Sequence, residues 1–425
     1  MFATFIRKLK LIFTDPQLRN RVLFILGAFI IFRALANVPI PGVDAAQLAA
    51  FFQDNQFLGL MNIFSGGGLA NLSIVMLGVG PFITASIIMQ LLTIMSPQLK
   101  SMYQEEGEAG RKKFNQYSRY LTVPLAFVQA AGFLILLSRQ GIVTNPDLFT
   151  LATNIVVVAA GSILLMWIGE MVTEFGIGNG VSLLIFAGIV ASLPTVAGQL
   201  LFTFEPSQIP VYLGFAVAAV LVTAAVVVIT EAERPVPISH ARQVRGSSRR
   251  SGTVQTYLPL RVNQSGVIPI IFALSILLFP TMIFGLLSGV DSPLIQNISN
   301  NVMNTLNNPW VYSISYFVLV FLFTFFYTAV TFDPHAVAGN LQKTGAFVPG
   351  VRPGEATATY LGNIVTRITL VGAIFLGLIA VLPLAMQAVT GVQAFAIGGT
   401  ALLISVSVVL DLLRKIEAQI SVREY

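Results

Sequence analysis

Residues 368–410, ITLVGAIFLGLIAVLPLAMQAVTGVQAFAIGGTALLISVSVVL, form one continuous stretch without a single charged side chain. A helix of about 20 apolar residues crosses the hydrocarbon core of a bilayer. The stretch is therefore long enough for two crossings, and the segment from Gln387 to Gln393 divides it into predicted spans 368–386 and 393–410. This pair of spans indicates an integral membrane protein.

Eight further apolar runs lie upstream, so the sequence predicts ten membrane spans. The composition agrees, because 55% of the residues are hydrophobic, 10% are charged and the mean hydropathy is +0.82. Soluble domains carry about 25% charged residues, which disfavours a large soluble core. The upstream spans are predicted at 22–38, 72–95, 120–138, 148–169, 181–203, 209–230, 263–288 and 310–331.

Several kinds of chemistry lack the residues that they need. The chain has no cysteine, which excludes disulfides and thiolate metal sites. Its only histidines are His240 and His335, so a zinc hydrolase would have few ligands. The segment 345–352, GAFVPGVR, lacks the Gly-Lys-Ser/Thr ending of a phosphate-binding loop. We therefore expect no enzyme activity and no cofactor.

The distribution of Lys and Arg predicts the orientation in the membrane. With the N-terminus inside and ten spans in alternation, 22 of the 24 basic residues fall in inner segments, and Arg139 alone falls in an outer loop. Because basic residues accumulate on the cytoplasmic side, both termini are expected there. Ten spans divide into two halves of five with opposite topology, an arrangement that commonly places a pathway between the halves.

The segment 59–80, GLMNIFSGGGLANLSIVMLGVG, is apolar but is interrupted by three adjacent glycines, Gly66 to Gly68. Glycines oppose a continuous helix, so we expect a short helix, a flexible turn and then a full span. Broken backbone at membrane depth persists only where it is buried in protein or lines a cavity. A plain extracellular loop that ends at Ser73 is the alternative.

Val79, Ile83 and Ile87 are spaced four residues apart and share one face of the second span. Such residues usually pack in a core or face lipid, although a constriction made of them would exclude water and ions. The spans contain few ionisable groups, chiefly Arg33 and Glu170, and this weakens the case for an ion-coupled transporter.

Two long loops, 231–262 and 332–366, fall on the inner side and exceed the length that a connection requires. Their arginines either determine topology and contact lipid headgroups, or they bind RNA phosphates or an acidic protein. Residues 1–20 place apolar residues at helical spacing between basic ones. We expect there an amphipathic helix that lies on the membrane surface or packs on a partner.

The chain resembles the SecY family over nearly its whole length. The resemblance depends on a series of motifs in combination. These motifs are PIPGVD at 39–44, NIFSGGGL at 62–69, GVGPFITASIIMQLL at 78–92, EGEAGRKK at 106–113, GIGNGVSLLIFAGIVA at 176–191, YLPLRVNQSGVIPIIFA at 257–273, FDPHAVAGNLQKTGAFVPGVRPGE at 332–355 and GGTALLI at 398–404.

The resemblance implies an all-α integral membrane protein with ten transmembrane helices. Two pseudo-symmetric, inverted five-helix halves would surround a central hourglass pore that a plug helix closes. The N-terminal half would cover 21–203 and the C-terminal half 204–413. A cytosolic amphipathic helix at 1–20 would precede them, and a cytosolic tail at 414–425 would follow.

The resemblance also implies roles for individual residues. The aliphatic pore ring would consist of Val79, Ile83, Ile87, Ile185, Ile271 and Ile404. The plug, segment 59–71, would include Asn62, Ile63, Phe64, Ser65, Gly66, Gly67, Gly68 and Leu69. The lateral gate between spans two–three and seven–eight would include Thr84, Gln129 and Phe279. Docking of a motor or a ribosome would use Arg242, Arg245, Arg249, Arg250 and Arg352.

The function implied by the family is a channel in the bacterial plasma membrane that translocates unfolded secretory polypeptides and releases membrane segments laterally. The implied partners are small membrane subunits similar to SecE and SecG, the motor SecA, the ribosome, signal peptides, nascent chains and the phospholipid bilayer. Two other classes remain open from the residues alone. One is a secondary transporter of a small solute, and the other is a lipid-handling or scaffold protein.

Overall fold

The computed structural model describes residues 14–41, 62, 65–104, 106–139, 142, 147–202, 209–240, 256–287, 292–390 and 393–421. Within these residues the chain forms helices and three short strands. The helices are α1 Pro16–Ala36, α2 Gly80–Met95, α3 Pro97–Gln104, α4 Gly107–Arg139, α5 Leu148–Phe175, α6 Gly180–Phe202, α7 Ile209–Glu231, α8 Ile268–Leu287, α9 Pro293–Asn307, α10 Pro309–Thr331, α11 Pro334–Lys343, α12 Glu355–Thr390 and α13 Gln393–Ser421. The strands are β1 Glu233–His240, β2 Thr256–Arg261 and β3 Ala346–Phe347.

Each of the ten predicted spans overlaps a helix, and these helices are α1, α2, α4 to α8, α10, α12 and α13. Among the described residues, helical stretches in α4, α5, α10 with α11, and α12 are by themselves long and apolar enough to cross a membrane. A fifth qualifies if α2 and α3, which meet at a bend of 114°, count as one broken span. The chain is therefore a multi-pass membrane protein.

Three helices begin at an Asp-Pro or Asn-Pro pair. The side chains of Asp15, Asn308 and Asp333 each accept a hydrogen bond of 2.9–3.0 Å from the backbone N–H two residues further on. The proline that follows each of them has a backbone angle suited to the first helical turn and needs no hydrogen-bond acceptor there. These pairs fix the starts of α1, α10 and α11.

The helices pack as two groups that follow chain order. In the first group, α5 contacts α1, α2, α4 and α6, and in the second, α12 contacts α7, α8, α10 and α13. The groups meet along two seams, one where α6 contacts α13 and one where α8 contacts α2 and α4. A path between the groups would therefore be bounded by α2, α6, α8 and α13.

The prediction of a span from residue 72 is wrong at its start, because residues 65–79 form turns and α2 begins at Gly80. The backbone adopts positive φ values at Gly66 (67°), Gly67 (82°) and Gly78 (58°), which glycine tolerates without steric cost. The segment lies inside the protein, since Leu69 and Val75 are fully buried. Irregular backbone at this depth is thereby kept away from lipid.

The all-helical prediction omits a small three-stranded sheet in the order β2-β1-β3. β1 pairs antiparallel with β2 over 233–238 and with β3 at 239–240. Pro235, Pro237 and Pro259 hide the strand pattern in the sequence, because proline cannot donate to a strand ladder. The sheet packs on α11 and on the start of α12 through a separate apolar core that includes Val236, Leu260 and Leu361. The described parts of the two long loops therefore form one folded unit.

Candidate functional site

Five of the six aliphatic residues assigned from the family motifs belong to one extended apolar cluster, which also includes buried residues of α1, α5, α7, α10 and α12. These five are buried, with exposed fractions of 4% for Val79, 2% for Ile87, 1% for Ile185, 7% for Ile271 and 0% for Ile404. Ile83 is partly buried and packs against the same cluster. They come from α2, α6, α8, α13 and the turn before α2, so both helix groups contribute.

A cavity of about 540 Å³ reaches this cluster. Its apolar lining includes three of the six residues, Ile83, Ile185 and Ile271. Its polar lining comes from the start of α4, the end of α5 and the turn before α6, with Lys112 and Glu174 among the contributors. These helix ends adjoin the predicted inner segments, which carry most of the basic residues. The cavity therefore runs from this end of the bundle, called the basic end, to the aliphatic cluster.

The lining of the cavity carries charges of both signs, and one oppositely charged pair is in contact. Arg119 on α4 donates a hydrogen bond from Nε to Glu170 Oε1 on α5. This pair remains partly exposed, so it stabilises the fold by about 1 kcal/mol or less. The mouth consequently combines both signs with amide groups such as Asn179, a lining that does not select for one charge.

A second cavity, of about 260 Å³, adjoins the first and shares Asn179, Ser182, Ile268 and Tyr327 with it. The three basic residues of its lining each have a carboxylate partner. Arg261 pairs with Glu233 at 3.1 Å, Arg414 with Glu231 at 2.7 Å and Lys415 with Asp411 at 2.6 Å. The second cavity therefore extends the first, and carboxylates balance the positive charges of its lining.

The described part of the predicted plug is held by its own side chains. Asn62 Oδ1 accepts from the Ala70 N–H at 2.7 Å. The Ser65 hydroxyl donates to the Asn62 carbonyl at 3.0 Å and accepts from the Leu69 N–H at 2.9 Å. Asn62 is helical, Gly66, Gly67 and Gly68 lie in the following turns, and Ile63 and Phe64 lie outside the described residues.

Two of the three predicted gate residues contact each other. Gln129 on α4 donates from Nε2 to the Thr84 hydroxyl on α2 at 3.4 Å, and both side chains are buried. Phe279 lies in α8, which contacts both of these helices, but its side chain is outside the described part. The structure thus brings α2, α4 and α8 into contact, and the gate stays a prediction.

One contact between the two helix groups has no signal in the sequence. Gln104, at the end of α3, donates from Nε2 to the carbonyl of Val330 on α10 at 3.0 Å. The two residues are separated by 226 positions and belong to opposite helix groups. Only the fold brings them together, because neither stands in a recognisable motif.

Arg352 lies exposed in the turn that follows β3. Gly350 and Gly354, with φ values of 82° and 98°, bound this turn, and Thr357 donates from its hydroxyl to the Arg352 carbonyl at 2.8 Å. β3 pairs with β1 at His240, where the segment 241–255 begins. The other four docking candidates, Arg242, Arg245, Arg249 and Arg250, lie in that segment, outside the described residues.

Two groups of membrane helices, a cavity that opens at one end and an apolar cluster to which both groups contribute are the features expected of a transmembrane conduit. The sequence pattern of the SecY family matches residues 73–413. The chain therefore belongs to the SecY family.

Named relatives agree with this assignment. The protein translocase subunit SecY of Mycobacterium bovis is 40% identical, with 100% of this chain and 99% of the relative covered. The subunit of the same name from Pseudomonas aeruginosa is 41% identical, with 96% and 92% covered. The similarity spans essentially whole proteins on both sides.

Solved structures share the fold. A structure described as that of a protein conducting channel superimposes with a TM-score of 0.65 at 19% identity, covering 94% of this chain and 92% of that one. Sec61 in the canine ribosome–channel complex gives a TM-score of 0.60 at 18% identity, with 94% and 92% covered.

Proposed function

We propose that this chain is a protein-conducting channel that carries unfolded secretory polypeptides across the bacterial plasma membrane. The observation that carries the proposal is the cavity from the basic end, which reaches aliphatic residues contributed by both helix groups. A conduit between two groups of helices widens when the groups separate, and it needs no covalent chemistry. The chain therefore acts as a passive path and not as an enzyme.

The aliphatic residues Val79, Ile83, Ile87, Ile185, Ile271 and Ile404 form the constriction in this proposal. Branched hydrocarbon side chains offer neither hydration nor charge to an ion, so a ring of them excludes water and ions by dewetting. The same side chains contact any peptide side chain without selecting one. The plug segment, residues 59–71, adds a second barrier next to the ring while the channel rests.

Membrane-protein segments leave sideways through the seam of α2, α4 and α8. A signal helix or membrane span is sufficiently apolar to prefer lipid over a polar cavity. Thr84 and Gln129 form the polar contact on one wall of this seam. Phe279 stands in α8, the opposite wall.

Directionality comes from partners on the basic side. Both termini are cytoplasmic in this arrangement, and the loop unit of β1, β2, β3 and α11 faces the cytosol. Arg352 and the arginines of 241–255 dock a SecA motor or a translating ribosome, since guanidinium groups bind carboxylates and phosphates well. Small subunits similar to SecE and SecG complete the complex in the membrane.

Reconstitution distinguishes the channel from a solute transporter. Proteoliposomes with this chain, its small subunits, SecA and ATP should protect a secretory precursor from added protease. Saturable uptake of a small solute without precursor protection would contradict the proposal. The relatives reported above are named as translocase subunits, and they give the transporter alternative no support.

A further inference from the structure

One charged side chain of α1 reaches the plug segment. Arg33 lies three residues before the end of the helix, and its Nη1 donates a hydrogen bond of 2.7 Å to the carbonyl of Gly66. A charge within a membrane span is costly and usually marks a functional contact. Neither the cavities nor the docking turn uses Arg33, so its role is open.

Gly66 permits this contact because it has no side chain. Its φ is +67°, and a Cβ there would lie 2.6 Å from Phe32 Cζ and 3.2 Å from Gly188 Cα. At Gly67, with a φ of +82°, a Cβ would lie 3.4 Å from Arg33 Nη1. Phe32 and Arg33, which are consecutive on α1, therefore lie directly against Gly66 and Gly67.

The far end of the same segment is fastened separately. Asn71 donates from Nδ2 to the Asn37 side chain at 3.2 Å, and the Leu72 carbonyl accepts from the Ile40 N–H at 2.9 Å. These bonds fix residues 71–72 beyond the end of α1. Among the described residues, the contact between Arg33 and Gly66 links the glycine-rich end of the segment to α1.

The contact is also mechanically connected to the aliphatic cluster. Phe32 is 3% exposed and belongs to the same apolar cluster as Val79 and Ile185. Phe32 thereby links the contact between Arg33 and Gly66 to the packing of this cluster.

We propose that Arg33 is a clasp that holds segment 65–72 in the closed position, and that release of the Gly66 carbonyl is a step in opening. The proposal rests on the proposed channel function. Arg33 is a positioning residue here, because it acts on the plug segment and not on the polypeptide in transit. A charged donor makes a strong hydrogen bond to a backbone carbonyl, and the loss of this bond shifts the closed–open balance.

The test measures the position of the segment without transport. Because the chain has no cysteine, Leu69→Cys provides a single, fully buried thiol close to Gly66. Adding Arg33→Gln should raise its modification rate by a charged, water-soluble maleimide by roughly tenfold or more. Arg33→Lys should give an intermediate rate, and Arg21→Gln, which removes a charge elsewhere on α1, should leave the rate unchanged.

A second variant changes Gly66, the residue whose carbonyl accepts the hydrogen bond from Arg33. Gly66→Ala should raise the rate as well, and the double variant with Arg33→Gln should fall short of the product of the two effects. An unchanged rate in Arg33→Gln would overturn the clasp. An equal rise at Leu165→Cys, a fully buried thiol on α5, would also overturn it, because the whole bundle would then have loosened. If Arg33→Gln raises the rate at Leu69→Cys but the protein never protects a precursor, the result would support the clasp and contradict the proposed channel function.

Discussion

Gln104 Nε2 lies 3.0 Å from the Val330 carbonyl oxygen and joins α3 of the first helix group to α10 of the second. The bond is a direct polar link between the two helix groups. Tyr103, next to Gln104, and Tyr327, one turn before Val330, both line the cavity at this point. The bond between the two groups therefore lies beside the cavity.

Removal of this bond should favour an open seam. Gln104→Ala deletes a neutral hydrogen bond worth about 1 kcal/mol, which corresponds to roughly a fivefold shift towards separation. Export of a precursor with a weakened signal sequence should rise by a similar factor. Gln98→Ala, an exposed glutamine on the same helix, is the matched control. Equal export in both variants would remove Gln104 from the gate.

Polar substitutions in the aliphatic ring should let water and ions through. Ile83→Asn and Ile404→Asn each place an amide among hydrocarbon side chains, so the resting conductance of reconstituted channels should rise by more than an order of magnitude. Export of precursors with weak signals should rise too. The controls Ile83→Val and Ile404→Val keep the ring apolar and should stay closed. Wild-type conductance in both asparagine variants would contradict the ring.

Charge reversal at Arg352 should block motor-driven export. Arg352→Glu replaces an exposed guanidinium in a turn bounded by two glycines, so it should abolish SecA-stimulated translocation. The free energy of unfolding should stay within about 0.5 kcal/mol of wild type. Lys343→Glu, an exposed reversal on neighbouring α11, should have a much smaller effect. Normal SecA-stimulated export by Arg352→Glu would exclude this residue from docking.

The contact between α5 and the turn segment should tolerate no added methyl group. A Cβ at Gly161 would overlap the Ile74 carbonyl oxygen, so Gly161→Ala should destabilise the fold by about 1–3 kcal/mol. A Cβ at Gly214 meets no atom within 4 Å, which makes Gly214→Ala the control. The measurement is the unfolding midpoint in detergent, and equal midpoints would show that the turn does not lie against α5.

The positions of the membrane helices could be predicted from the sequence because apolar length is a local property. The run 368–410 shows this, since its two predicted spans lie within α12 and α13. The start of α2 could not be placed, because Leu72 to Val79 are as apolar as a helix would be. The helix does not extend upstream of Gly80, because Leu72 and Gly78 adopt positive φ and the Ile74 backbone packs against Gly161 on α5. Both are tertiary effects.

The candidate site was only partly predictable. Apolar spacing could not separate Ile83 from a lipid-facing isoleucine, so the ring assignment came from the family motifs. The sheet was missed because Pro235 and Pro259, which lie opposite each other, imitate a loop. The bond between Gln104 and Val330 depends on the packing of distant helices, and no local pattern encodes it.

Crosslinking of a stalled secretory chain tests most directly whether the aliphatic residues surround the path of the polypeptide. The chain has no cysteine of its own, so Ile83→Cys, Ile185→Cys and Ile404→Cys each offer one thiol to a cysteine in the stalled chain. Disulfides should form at these three positions and not at Val217→Cys or Val220→Cys, which are 53% and 69% exposed on the outside of α7. Adducts on α7 without adducts at the three isoleucine positions would contradict a path through the ring.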